Sequence, residues 1–375
     1  MQESLLISSQ CSTFTSQFGN DLDLKTDDMK RLEDLVRPSV LAFESYRSGR
    51  ELYDQNGAKV LLDANESPYN APLNRYPDPL QRQAKAALAP MKRVGEDRIF
   101  LANGSDEAID VIYRCFCTPG KDNVIAIEPS YARYKAEAMI NEIEYRPVLL
   151  DDDFQVKCYD ILAEMDSHTK VVWICSPNNP TGNSIDRKEI VKVIEQFQGI
   201  VVVDEAYSDF STVPPLRLEL DEHPNLIVLN TFSIAWGCAS VNLGVAYASA
   251  DIINIMNKVK YPYNVNEITQ REILKMLRNT VEVSKSVNSI LEERSRVMHA
   301  VAELPYCERV FASDANFFLA RFNDGPALYE YLKGKGIMVR NRHDIPLCAN
   351  CLRITIGTKT ENAALISALR QYETK

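Results

Sequence analysis

Short apolar, β-branched runs recur through the middle of the chain: Val124–Ile127, Val171–Cys175, Ile200–Val203, Leu226–Leu229 and Gly244–Ala248. Each is nearly continuous rather than alternating, the pattern of a strand buried on both faces. Between them lie segments with helical spacing, such as Arg187–Phe197, where Ile190, Val191, Val193, Ile194 and Phe197 carry the apolar positions. Strands alternating with helices predict an α/β fold whose mostly parallel sheet lies between helices. After about residue 266 the pattern changes to a long helix over Val281–Leu304 and short strands over Phe317–Phe322, Met338–Asn341 and Leu352–Ile356. This predicts a smaller α+β C-terminal domain. The chain therefore divides into a mobile tail (1–30), an N-terminal arm (31–60), a large domain (61–266) and a small domain (267–375).

Ligands of open α/β sheets sit at the carboxyl ends of the strands. The residues that follow the apolar runs are polar: Glu128-Pro129-Ser130-Tyr131, Ser176-Pro177-Asn178-Asn179-Pro180, Asp204-Glu205-Ala206-Tyr207 and Asn230-Thr231-Phe232-Ser233. Asp204 ends a buried strand, where a carboxylate needs a cationic partner to stay ionised. It is either a cap for the next helix or the partner of a protonated pyridine nitrogen, with Tyr207 donating to a phenolic oxygen on the same ring. The segment Asn103-Gly104-Ser105-Asp106-Glu107-Ala108 is a capped helix start. Alternatively, its free N–H groups seat a phosphate. With no GxGxxG and no GxxxxGK[ST], the chain lacks the fingerprints for a dinucleotide or a nucleoside triphosphate, and a smaller phosphorylated ligand fits better. Asn178-Asn179-Pro180-Thr181-Gly182 is a turn by composition.

Charge and cysteine content narrow the classes further. Lys plus Arg total 42 against 52 Asp plus Glu, a net charge of −10, which argues against nucleic acid as a partner. No apolar run approaches the roughly 18 residues of a membrane span. Residues 1–30 hold acidic side chains and no arginine, which is neither a secretory leader nor a mitochondrial presequence. Nine cysteines, an odd number scattered along the chain, read as reduced cytoplasmic thiols. Cys348-Ala349-Asn350-Cys351 is a single CxxC without a second pair, and no histidine pair has ligand spacing, so no metal site is expected.

In order along the chain stand DANESPY (63–69), NRYPDP (74–79), NGSDEAID (103–110), EPSYARY (128–134), SPNNPTG (176–182), DEAY (204–207), TFSIAWG (231–237) and RITIGT (353–358). This set resembles the fold-type I aminotransferases that use pyridoxal 5'-phosphate, within them the histidinol-phosphate aminotransferase family, over roughly residues 32–373. The resemblance implies amino transfer between histidinol phosphate and 2-oxoglutarate in histidine biosynthesis. It implies that the backbone at Ser105, Asp106 and Glu107 cups the cofactor phosphate and that Tyr131 stacks on the pyridine ring. Asn179 and Tyr207 would bond the phenolic oxygen, Asp204 would pair with the ring nitrogen, and Thr231 and Ser233 would also contact the cofactor. Tyr76 would reach the phosphate from a neighbouring subunit, so that a homodimer shares its active sites. Tyr46, Asn316, Arg340 and Arg353 would line the substrate's anionic end, where guanidinium forks suit a phosphate.

Two positions depart from that pattern. The family's Schiff-base lysine follows the serine of the stretch Thr231-Phe232-Ser233-Ile234; this chain has Ile234 there. Eight residues further, where the family has an arginine on the phosphate, this chain has Asn242. Isoleucine can neither hold a carbonyl nor move a proton, and asparagine brings no charge. The expectation is a catalytically impaired protein with weak, non-covalent cofactor binding. The alternative is a non-catalytic pseudoenzyme that keeps the fold and pocket as a binding or partner subunit.

Overall fold

The structure is a computed structural model that describes residues 31–44 and 60–373. Its main sheet is built from β1 (Ile99–Asn103), β2 (Asn123–Glu128), β3 (Glu144–Leu149), β4 (Thr169–Cys175), β5 (Ile200–Asp204), β6 (Leu226–Thr231) and β7 (Leu243–Tyr247). The spatial order is β1-β7-β6-β5-β4-β2-β3. Strands β2 to β6 run parallel, and β7 runs antiparallel to both neighbours, β6 and β1. A second, wholly antiparallel sheet holds β8 (Cys307–Val310), β9 (Phe317–Phe322), β10 (Arg340–Asn341) and β11 (Cys351–Thr355), in the order β10-β11-β9-β8. This is the fold-type I aminotransferase architecture expected from the sequence.

Alternation along the buried strands assigns side chains to two layers. Phe100, Val124, Val171, Trp173, Val202 and Ile227 pack with the helices Gly104–Phe116 and Ala250–Val259. Leu101, Ile125, Val172, Ile174, Val201 and Val203 face the other way, onto the helices Arg82–Lys92 and Arg187–Gln196. A third cluster joins Val297 and Val301 of the helix Thr280–Ala302 to Phe318, Leu352, Ile354 and Leu365 around the second sheet.

Three strands lie outside the predicted set. β3 is an edge strand of mixed polarity that carries Pro147, a residue tolerated in sheets chiefly at such an edge because it offers no N–H. β8 is likewise an edge strand and only partly buried. β1 is an edge strand whose four buried apolar residues end at the exposed Asn103, and its partner β7 lies far away in sequence. Among the described residues no helix is long and apolar enough to cross a membrane.

Candidate active site

Because β7 is antiparallel to β1 and to β6, the carboxyl ends of β1, β2, β4, β5 and β6 share one edge of the sheet. They open on a cleft of about 690 Å³, its mouth included.

The chain passes from β1 straight into the helix Gly104–Phe116, with Gly104 at φ +80°, a left-handed conformation that favours glycine. Gly104, Ser105 and Asp106 line the cleft, and the unpaired N–H groups of a helix start favour an anion there. Glu107 does not line it: its carboxylate turns back to accept from the Asn103 N–H and, at 3.0 Å, from the Asn264 amide. Tyr131 also lines the cleft and donates its hydroxyl to Asp106 at 2.9 Å.

Asp204, at the end of β5, is buried on the cleft floor. It accepts from the Tyr134 hydroxyl at 2.7 Å and from the Ala206 N–H at 3.0 Å. Burial holds its carboxyl above the ordinary carboxylate range, and those two hydrogen bonds oppose the shift. No cation of the described residues acts on it. A buried carboxylate that faces a cleft without a cation is matched to a positively charged ligand atom.

Beside it runs a relay of polar groups. Arg353 Nη1 donates to Asn179 Oδ1 at 2.6 Å, and Asn179 Nδ2 donates to the Tyr207 hydroxyl oxygen at 3.0 Å. Burial pushes the Tyr207 phenol upward, so it is protonated at neutral pH, and its own hydrogen is given to no protein group among the described residues. Asn178 holds this loop to its neighbours, donating to the Pro129 carbonyl and to Thr181.

The fourth wall holds Thr231, Ser233, Ile234 and Asn242. Thr231 Oγ1 donates to the Leu243 carbonyl and accepts from the Ser233 N–H. Ile234 is half-buried; Asn242, at φ +51°, is exposed and points its amide at Asn103 Oδ1 at 3.4 Å. Neither a lysine nor an arginine is among the described residues lining the cleft. Lys258 and Lys260 supply no substitute, since their ammonium groups donate to backbone carbonyls of Leu41 and of Pro79, Tyr261 and Pro262.

Of the remaining candidates, Arg340 is exposed and directly opposite Arg353 in the β10–β11 ladder. Asn316 is tied by its backbone carbonyl to the Ile356 N–H, and Tyr76 stacks on Tyr263 with ring centroids 4.5 Å apart. Neither lines the cleft. Tyr46 lies outside the described residues. Sequence reasoning missed Tyr134, Cys175 and Ala206. Tyr134 stood three residues after Tyr131, the spacing of one helical face, which was the available signal.

The family described as aminotransferase class I and II matches residues 50–369. The chain belongs to that family. Among curated relatives of this aminotransferase, a histidinol-phosphate aminotransferase of Bacteroides fragilis is 53% identical over 345 residues, 92% of this chain and 100% of the relative. One from Flavobacterium johnsoniae is 43% identical over 338 residues, 90% of this chain and 97% of the relative. In fold, the chain is similar to the crystal structure of the histidinol-phosphate aminotransferase from Clostridium acetobutylicum. That match has a TM-score of 0.73 and 24% identity, covering 80% of this chain and 90% of the other. It is also similar to the enzyme of that name from Sinorhizobium meliloti in complex with pyridoxal-5'-phosphate (TM-score 0.72, 21% identity, 79% and 82% covered).

Aminotransferases of this family use pyridoxal phosphate, and most of the cleft fits it. Asp204 is a buried carboxylate that would suit a protonated ring nitrogen, the Tyr207 hydroxyl has a hydrogen given to no protein group among the described residues, and the helix start after Gly104 has N–H groups that would suit a phosphate. Among the described residues that line the cleft, none carries an amine that could hold the aldehyde as an imine.

Proposed function

We propose that this chain is a histidinol-phosphate aminotransferase by descent, with a cleft that still binds pyridoxal phosphate and an amino-phosphate substrate, and with turnover impaired by Ile234 and Asn242. The observation that carries this reading is the contrast within one cleft: Asp204, Asn179 and Tyr207 line one part of it, with Arg353 bonded to Asn179 from outside the lining, while Ser233, Ile234 and Asn242 bring no amine and no cation. The curated relatives supply the substrate class. By name they act on histidinol phosphate, and the sequence motifs carry the expectation that its amino group is exchanged with 2-oxoglutarate in histidine biosynthesis.

Each residue has a physical role in this reading. Ser105 and Asp106 present backbone N–H groups to the phosphate, without the charge an arginine at position 242 would add. That loss is of the order of a charged hydrogen bond, about 1.5–3 kcal/mol. Tyr131 covers one ring face. Asp204 keeps the ring nitrogen protonated, and the bound cofactor would then supply an electron sink for bonds at the substrate's α-carbon. Tyr207 and Asn179 hold the phenolic oxygen, and Arg340 and Arg353 take the anionic end of the substrate, a role the sequence resemblance extends to Tyr46 and Asn316. The proton that must leave the α-carbon has no amine to accept it. General acid–base assistance is worth typically 10²–10⁴-fold, and Ile234 removes it.

Tyr76, half-exposed next to the exposed Tyr69 and Leu73, suits a homodimer in which it reaches the neighbouring site. A cytoplasmic location accords with the buried free thiols. A second reading, a pseudoenzyme that serves as a binding or partner subunit, rests on the same missing amine. A single-turnover experiment separates the two. Protein pre-incubated with pyridoxal phosphate is mixed with excess histidinol phosphate, and the cofactor spectrum is followed. Slow conversion to the amine form supports the impaired enzyme. No conversion, with conversion in the Ile234→Lys, Asn242→Arg double variant, supports the pseudoenzyme. Conversion at ordinary enzymatic rates overturns the claim of impairment.

A further inference from the structure

Arg342 belongs to none of the sets above, yet its surroundings are those of a ligand-binding cation. It follows β10 directly, and its N–H donates to the Cys351 carbonyl at 2.9 Å, extending the ladder by one residue. Side chains two apart on a strand share a face, and so do residues directly opposite in an antiparallel pair. Arg340, Arg342 and Arg353 therefore project from one face of the β10–β11 ribbon.

The packing shows which face this is. Leu352 and Ile354 belong to the apolar cluster of the second sheet, whereas Cys351 belongs to that of the main sheet. Arg353, in step with Cys351, reaches Asn179 at the cleft wall.

Three guanidinium groups on one face repel one another, and like charges directly opposite in a ladder are unfavourable. Arg353 lies over the Phe317 ring at 5.2 Å and donates to Asn179, but among the described residues no carboxylate forms an ion pair with Arg342 or Arg353, and the Nε–H groups of both are buried without a hydrogen-bond partner. The Arg342 guanidinium is held down at about 10, first by burial and then by the charges of Arg353 and Arg340. A cluster of this kind is satisfied by an anion that carries two charges and several acceptor oxygens.

We propose that Arg342 is a substrate-binding residue that joins Arg340 and Arg353 in a three-guanidinium seat for the phosphate monoester of the amino substrate. The proposal rests on the functional reading above and adds to it a residue that sets the preference for a phosphorylated over an unphosphorylated amino alcohol. A carboxylate offers one charge and two acceptor oxygens; a phosphate monoester offers up to two charges and three terminal oxygens, enough acceptors for a third guanidinium fork.

The test is calorimetric titration of the full chain with histidinol phosphate and, separately, with histidinol. Wild-type protein is expected to prefer the phosphorylated ligand. Arg342→Gln is expected to weaken histidinol phosphate about 10–100-fold and to leave histidinol unchanged, as loss of charge-assisted hydrogen bonds requires. Arg342→Lys, which keeps the charge but not the fork, should lose about tenfold and serves if the glutamine variant does not fold. An unchanged preference in the variants overturns the role of Arg342 alone, and equal weakening of both ligands assigns it to structure and overturns it as well. Absence of any preference in the wild-type protein overturns the functional reading and this proposal together.

Discussion

Gly244 lies so close to Gly104 that a methyl group on its Cα would stand 2.3 Å from the Gly104 carbonyl carbon and 2.4 Å from the Ser105 nitrogen. The second residue of β7 thus touches the backbone that opens the helix behind the proposed phosphate seat. Backbone cannot swing aside as a side chain can. Gly244→Ala is expected to force β7 and the helix start apart, costing roughly 2 kcal/mol or more, in the range of overpacked cores. Pyridoxal phosphate affinity should fall with it. Thermal unfolding and a cofactor titration check this; a variant unchanged in both would mean that the contact has no bearing on the seat.

The missing amine and the missing cation should be repairable. Ile234 and Asn242 both line the cleft, and the rest of its wall is in place. The double variant Ile234→Lys, Asn242→Arg is expected to take up pyridoxal phosphate that survives desalting and to absorb in the visible range. Ile234→Lys alone should retain less cofactor, because the phosphate still lacks its charged partner. If neither variant retains any, the remaining wall has drifted from a cofactor-binding geometry.

Asp204 faces opposite demands in the empty and the loaded protein. Burial raises its carboxyl, so the ionised form is disfavoured until a cation arrives. Asp204→Asn is therefore expected to stabilise the protein without cofactor at neutral pH and to weaken cofactor binding. Chemical denaturation and a binding titration give the two signs separately. A variant that is less stable without cofactor would contradict the assignment of Asp204 to a ligand rather than to the fold. Tyr134→Phe removes one of its two donors and should cost about 1–3 kcal/mol.

Glu205, the next residue, points away from the cleft and sets a pH dependence of its own. It is buried, accepts from the Leu216 N–H at 2.8 Å, and its other carboxylate oxygen has no partner among the described residues. Burial pushes its carboxyl up to about 7. The folded protein thus keeps a proton that the unfolded chain releases near pH 4.5, so stability declines as the pH rises from there to about 7 and is level above. Glu205→Gln should remove this decline and add at most about 3 kcal/mol at pH 8. Denaturation midpoints measured from pH 5 to pH 8 test it, and parallel curves for the two proteins would reject it.

Much of this protein could be read along the chain because its central strands are buried on both faces. Strands β2 and β4 to β7 carry unbroken apolar runs through their middles, so the pattern alone marks them. Asp204, Asn179 and Tyr207 were found for the same reason, being polar residues placed directly after such strands. The edge strands β3 and β8 escaped, since a strand covered on one side carries mixed residues that resemble a loop. Ile234 and Asn242 also stood out in the sequence, as exceptions to a pattern.

What the chain could not disclose is which side chains meet across it. The Glu107 carboxylate is drawn back by Asn103 and Asn264, the latter more than 150 residues away. Tyr134 finds Asp204 and Arg353 finds Asn179 only once separate strands are brought to one edge. Arg342 acquires meaning from the strand opposite, which puts Arg353 beside it. Local sequence determined the central strands, their buried faces and the aliphatic side chain at Ile234, because those depend on the residue itself and its near neighbours. Partnership between charges was decided by the tertiary structure, because electrostatic and hydrogen-bond energies depend on distance in space rather than along the chain.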